Sequence, residues 1–222
     1  MPTPQPALAS SGFFPPPLSP QGGEVPGFSG LNLRLPRQCS RDNDWLVALC
    51  EANRELRIER SSQGDIVIMP PTGAETGARN AELTRLFGNW AATDRRGRVF
   101  DSSTGFLLPN GAMRSPDLAW VRNARLAKLS AEQKRAFLPL APDVVIELAS
   151  ASDHPEALHA KMREWRDNGV GLGWLILPQD RHLWQYAPDS DPICLQDPTE
   201  LREGELLPGL ALSMAGIWEA GF

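Results

Sequence analysis

Val144-Val145-Ile146-Glu147-Leu148, entered through Pro142-Asp143, is the stretch on which the fold of this chain turns. A run this apolar suits a central strand covered on both faces. A carboxylate inside such a strand is rarely left without a partner, because burying it uncompensated is costly. Upstream, Ser115-Pro116-Asp117-Leu118-Ala119-Trp120-Val121 reads as a second apolar strand with an acid at its start. Downstream lies a helix on which Leu158, Met162 and Trp165 make one apolar stripe at 3.6 residues per turn, with Lys161 inside its arc. An ammonium turned inward needs acids or a phosphate beside it. Asp117 and Glu147 are the acids at hand, and two carboxylates with one lysine are the minimum set for a metal-dependent phosphodiesterase.

Working outward, Asn168-Gly169 stops that helix and Gly173-Trp174-Leu175-Ile176-Leu177 follows as a strand. Strand, helix, strand at this spacing is a crossover that sets two strands parallel. Leu183, Trp184 and Tyr186 mark another strand. Toward the N-terminus, Ser40 or Asp42 can cap a helix carrying Trp45, Leu46, Leu49 and Cys50. Leu56, Ile58, Ile66 and Ile68 then mark two strands joined by the turn Ser61-Ser62-Gln63-Gly64. A long helix is predicted over 74–93, with Leu83, Leu86, Phe87 and Trp90 inward. Thr76, Arg79 and Asn80 continue its stripe in polar residues, with Glu75 at the margin. Such a start either borders a polar site or faces water. Ser130-Ala131-Glu132-Gln133 has the pattern of a small capped helix. Residues 1–36 are rich in Pro, Gly and Ser and are expected to form a disordered leader. The remainder, 37–222, is expected to be one α/β domain, a mixed sheet flanked by helices.

The composition is that of a globular protein, 41% hydrophobic and 22% charged, which rules out a low-complexity chain. Cys39, Cys50 and Cys194 are scattered, which argues against a disulfide framework and a zinc knuckle and points to a reducing, cytoplasmic setting. Neither a secretory signal nor a membrane-spanning apolar run is visible, so no membrane partner is expected. His154, His159 and His182 lack ligand spacing, and no GxSxG, GxGxxG or P-loop occurs, so no organic cofactor is expected. A net charge of -5 weighs against a dedicated nucleic-acid binder, although bound divalent metal inverts the field of an acidic site. Arg95, Arg96 and Arg98 read as a solvated turn after a helix. The seven tryptophans read as core and edge packing rather than base-stacking platforms, although Trp120 stands close enough to Asp117 in sequence to reach a substrate.

From Ile58 to Tyr186 the chain resembles the Uma family of restriction-endonuclease-like proteins, a branch of the PD-(D/E)XK nuclease superfamily. The stretches that carry the likeness include Ile58-Glu59-Arg60, Ile68-Met69-Pro70-Pro71-Thr72-Gly73, Phe100-Asp101-Ser102-Ser103-Thr104-Gly105-Phe106, Ser115-Pro116-Asp117, Val145-Ile146-Glu147-Leu148, Lys161-Met162 and Gly173-Trp174-Leu175-Ile176. The resemblance implies a restriction endonuclease-like fold with its active site where two central strands diverge. Asp117 takes the place of the first acid and Glu147 the second. The lysine expected two residues later is absent, since Ala149 stands there, and the family's lysine aligns with Lys161 on the next helix. Glu75 resembles an additional acid of some members. On this footing the chain is expected to be a Mg²⁺-dependent endodeoxyribonuclease, with Mn²⁺ as a substitute. Asp117, Glu147 and the Leu148 carbonyl would hold the metal, and Lys161 would orient the attacking water or balance charge on the phosphate. Arg79 and Asn80 would contact the DNA backbone, and a homodimer would serve to cut both strands. Two alternatives stand beside this: a catalytically silent module binding nucleic acid or protein, and a metal-dependent phosphodiesterase acting on RNA or another substrate.

Overall fold

The structure, a computed structural model, describes residues 31–35 and 42–222. Most of the expected leader therefore lies outside the described residues. Its last part does not stay irregular: β1 (Leu31–Leu33) pairs antiparallel with β3 of the following hairpin, because Leu-Asn-Leu can donate a short edge ladder to Ile66–Ile68. Helix α1 (Asn43–Ala52) is capped by Asp42, whose carboxylate accepts from the amides of Asp44 and Trp45. The hairpin consists of β2 (Arg57–Arg60) and β3 (Ile66–Met69), with Ile58 opposite Ile68 and Gly64 supplying the positive φ of the turn. Leu56 lies just outside it and is exposed.

After α2 (Ala74–Asp94) come β4 (Gly97–Asp101), β5 (Phe106–Leu107), β6 (Met113–Arg114) and β7 (Leu118–Arg122). Two short helices follow, α3 (Asn123–Leu126) and α4 (Ala131–Arg135), the second closed by a capping box between Ser130 and Gln133. Then β8 (Val144–Leu148), α5 (Pro155–Asp167) and β9 (Leu172–Leu177) form the crossover, and β8 and β9 are parallel. The chain continues through β10 (His182–Tyr186), β11 (Ile193–Gln196), β12 (Glu200–Glu203), β13 (Leu210–Ser213) and α6 (Ala215–Trp218).

The main sheet has the order β11-β10-β9-β8-β7-β4, with β8 at its centre, and a smaller sheet has the order β1-β3-β2-β6-β5. The chain passes from the small sheet to the large one along Ser115-Pro116-Asp117, between β6 and β7. Strand alternation sorts the side chains of the main sheet. Leu118, Trp120, Val144, Ile146 and Leu148 face α2, joined there by Leu201, Leu207, Leu210, Leu212 and Ile217 from the C-terminal segment. Ala119, Val121, Val145 and Leu175 face α5, against Met162 and Trp165. A third apolar cluster, Leu46, Ile58, Ile66 and Met113, joins α1 to the small sheet. Every residue of β8 is buried, as its apolar run requires.

For Trp120 this sorting agrees with core packing and removes the alternative of substrate contact. It lies three residues beyond Asp117, hence on the other face of β7, where it is fully buried against Trp90 and out of reach of a substrate. Among the described residues no helix is long and apolar enough to cross a membrane.

Candidate active site

The β7–β8 ladder pairs Leu118 with Ile146. Continued one step, that register sets Asp117 beside Glu147 at the point where the strands part. Glu147 projects toward α5, by the same alternation that sends Val145 there, while Asp117, just ahead of β7, stays within reach of Asn80 on α2. Asp117 Oδ2 accepts from the Leu148 amide at 2.8 Å, so the contact made by Leu148 here is through its N–H. Its Oδ1 meets Asn80 Nδ2 at 3.5 Å and Arg57 Nη1 at 3.6 Å, both too long to be strong bonds. Glu147 is 2% exposed, and its Oε1 accepts from Trp165 Nε1 at 2.8 Å and pairs with Lys161 Nζ at 2.9 Å. Among the described residues no protein donor meets Oε2. Lys161 does turn inward from α5, as the helical stripe predicts, with 15% of its side chain exposed.

Sequence reasoning passed over Glu59, although its stretch was part of the family resemblance. It is buried on β2 of the small sheet, accepting from the Ser115 amide at 3.0 Å, Arg114 Nη1 at 3.1 Å and Lys161 Nζ at 3.2 Å. Arg114 also donates to Glu164 at 2.6 Å. The only signal in the sequence is a charged residue flanked by Ile58 in a strand, and Arg60 on its other side masks it.

These groups line one cavity of about 460 Å³ together with Pro70, Pro71 and Thr76. Five acids (Glu59, Asp117, Glu147, Asp153 and Glu164) face three bases (Arg57, Arg114 and Lys161) around it. The excess of two negative charges equals the charge of one divalent cation. Its effect is visible in Glu147, whose carboxyl is pushed up to about 7 by burial, with Lys161 opposing and the Asp117 and Glu59 carboxylates adding to the rise. Glu59 shifts the other way: burial acts to raise it, but Lys161, Arg114 and the Ser115 amide outweigh burial and hold it below the usual carboxylate range. Burial works against the charge on Lys161, yet Glu147 and Glu59 together raise its pKa.

Other candidates fall elsewhere. Glu75 is 63% exposed and pairs with Arg79 at 3.1 Å, while Arg79 donates to the carbonyls of Ile217 and Trp218. Neither lines the cavity; Thr76 and Asn80, one residue further round α2, do. Asp153, at the cavity's edge, accepts from the Ser150 amide and hydroxyl, and His154 holds the N-cap position of α5. No histidine lines the cavity, and His159 packs on Trp184 and Tyr186 beyond the far side of α5. Asp143, just ahead of β8, holds Arg122 and Arg125. Arg95 ends α2 in a left-handed conformation and Arg96 pairs with Asp94, as suits a turn in water.

Among the described residues no three His, Cys, Asp or Glu side chains are grouped into a metal cage. The donors present nevertheless suit Mg²⁺, which binds through one or two carboxylates and keeps several waters. Asp117 Oδ1 is loosely held and Glu147 Oε2 has no donor, and the buried Asn80 Oδ1 lacks any partner that a metal-bound water would supply. The charge excess points the same way.

A family model named Uma2 and described as "Putative restriction endonuclease" matches residues 44–215. That match runs past Tyr186 through the C-terminal strands, whose residues complete the core on the α2 face. The crystal structure of "a putative nuclease belonging to DUF820" from Anabaena variabilis is similar at a TM-score of 0.63 and 18% identity, covering 74% of this chain and 90% of that one. At such identity the likeness is one of fold. No protein of curated function matches. With more than half its length matched, and with a mixed sheet that opens onto Asp117 and Glu147, the chain belongs to the Uma2 family, a restriction-endonuclease-related branch of the nuclease-like proteins.

Proposed function

We propose that this protein is a divalent-metal-dependent endonuclease that hydrolyses DNA phosphodiester bonds. One observation carries the reading: a buried glutamate on the central strand lies beside an aspartate at the strand divergence, with an inward-turned lysine 2.9 Å away. A structural ion pair has no need of the second carboxylate, whose charge makes Glu147 harder to ionise. Family membership supports a nuclease, and the name of the Anabaena relative agrees with it.

In this reading Asp117 and Glu147, with the Leu148 carbonyl, would hold Mg²⁺ or Mn²⁺. Such an ion supplies Lewis acidity and lowers the pKa of a bound water. Lys161 orients the attacking water and balances charge gathering on the phosphate oxygens. Asn80 and Arg57 stand at the same cavity with buried polar atoms that lack partners, ready to meet water or phosphate. Glu75 and Arg79 have no part in it. One site cuts one strand, so linear products take two copies or two visits.

The test is conversion of supercoiled plasmid to nicked and linear forms with Mg²⁺ or Mn²⁺, for wild type, Glu147→Gln and Lys161→Ala. Cleavage by wild type, lost in EDTA and in both variants, is the expected result. Wild type as inert as both variants across metal and salt conditions would sink the nuclease reading and favour a binding module.

A further inference from the structure

Glu59 has no role in the reaction outlined above, yet it is the most heavily engaged acid of the cavity. Only 2% of it is exposed, and a carboxylate so buried persists where cations and amides satisfy it. Each of its three contacts leads to a different part of the site. The Ser115 amide lies two residues before Asp117. Arg114 continues to Glu164, and Lys161 continues to Glu147. Lys161 and Glu164 stand three apart on α5, so Glu59 and Arg114 together clamp one face of that helix to the small sheet.

Lys161 thus sits between two carboxylates, 2.9 Å from Glu147 and 3.2 Å from Glu59. The position of its ammonium is set by both. Without the charge on Glu59, one anionic partner would remain, and the ammonium, already in contact with Glu147 Oε1, would be held by that carboxylate alone, the one assigned above to the metal.

We infer that Glu59 is a positioning residue, which shares the Lys161 ammonium with Glu147 and so loosens its hold on the carboxylate that takes up a divalent cation. The inference rests on the reading that Asp117 and Glu147 hold that cation. Glu59 touches neither metal nor phosphate and acts through Lys161 alone.

The test is calorimetric titration of the full chain with Mn²⁺, without DNA, for wild type, Glu59→Gln, Lys161→Gln, the double variant and Asp117→Asn. Glutamine keeps the size of Glu59 and an acceptor for the Ser115 amide. Mere loss of a negative charge weakens cation binding by the same factor whether or not Lys161 is present, because Coulomb energies add. Positioning does not add. Glu59→Gln is expected to weaken Mn²⁺ binding about tenfold in the wild-type background and less than about threefold in Lys161→Gln. Equal factors in the two backgrounds overturn the inference. Where Glu59→Gln does not fold, Glu59→Asp replaces it, keeping the charge but withdrawing it by one methylene. The same inequality supports the inference there, and equal factors overturn it. Wild type that binds no Mn²⁺, like Asp117→Asn, sinks the metal-site reading and this inference with it. Binding that is lost in Asp117→Asn but shows equal factors for Glu59 sinks the inference alone.

Discussion

Glu147→Gln should change how stability depends on pH in the absence of metal. The Glu147 carboxyl ionises at about 7 in the folded protein against an ordinary value of 4.5, chiefly because it is buried. Between those values the unfolded chain has released the proton that the folded chain keeps. The contribution of Glu147 is therefore fully present below pH 4.5 and is lost as pH rises through about 7. At about 1.4 kcal/mol per pH unit, the gap amounts to about 3 kcal/mol. Relaxation around a pair that shares Lys161 reduces this, so about 1–3 kcal/mol is expected. Glutamine has no proton to release. The assay is urea denaturation in EDTA from pH 4.5 to 8, followed by tryptophan fluorescence, for both proteins. The difference, wild type minus variant, should fall by about 1–3 kcal/mol across the range. Groups common to both proteins cancel in it. A difference that is flat, or that rises with pH, would refute the assignment of a buried, reluctantly ionised Glu147.

Lys161→Ala leaves the buried Glu147 without its cation and takes one of two from Glu59, and should cost about 3 kcal/mol in a metal-free urea melt, with a rate loss of roughly 10²–10³ in plasmid nicking. A stability change under about 0.5 kcal/mol would contradict the buried pairing. At Gly97 an added Cβ would meet Trp120 Cε2 at 2.3 Å, and that ring is fixed in the core, so Gly97→Ala should cost about 1–3 kcal/mol in the same melt. A neutral result would mean the Trp120 ring can move. Glu75→Ala, at an exposed pair outside the cavity, should leave nicking within about twofold of wild type; a large loss would return Glu75 to the site.

Glu147 and Lys161 were legible for one reason: each breaks a strong apolar pattern, and a charge inside such a pattern has to be met by something. The parallel β8–β9 pair was legible because a helix between two apolar runs permits little else. Glu59 was not, because β2 reads Arg-Ile-Glu-Arg and alternation alone leaves its polar face in water. What buries it is Arg114, on the neighbouring strand β6 of the same sheet, and α5, packed on the main sheet, both distant in sequence. Glu75 falls outside the cavity for a finer reason. Residues on a helix differ by 100° each, so a stripe that fits Thr76 and Asn80 leaves Glu75 and Arg79 turned toward α6. The strands after Pro188 are short and broken by Pro, Gly and acids, which hides apolar positions such as Leu201, Leu207 and Leu212.

Ser115-Pro116-Asp117 joins the two sheets, and Lys161 reaches Glu59 across 102 positions of the chain. Loop-closure entropy opposes contacts of such sequence separation until much of the intervening chain is in place. The cluster should thus be among the last features to assemble during folding. A chain still growing or partly unfolded carries Glu59, Asp117 and Glu147 yet has no pocket in which to use them. Whatever chemistry the site performs is thereby confined to molecules that have finished folding.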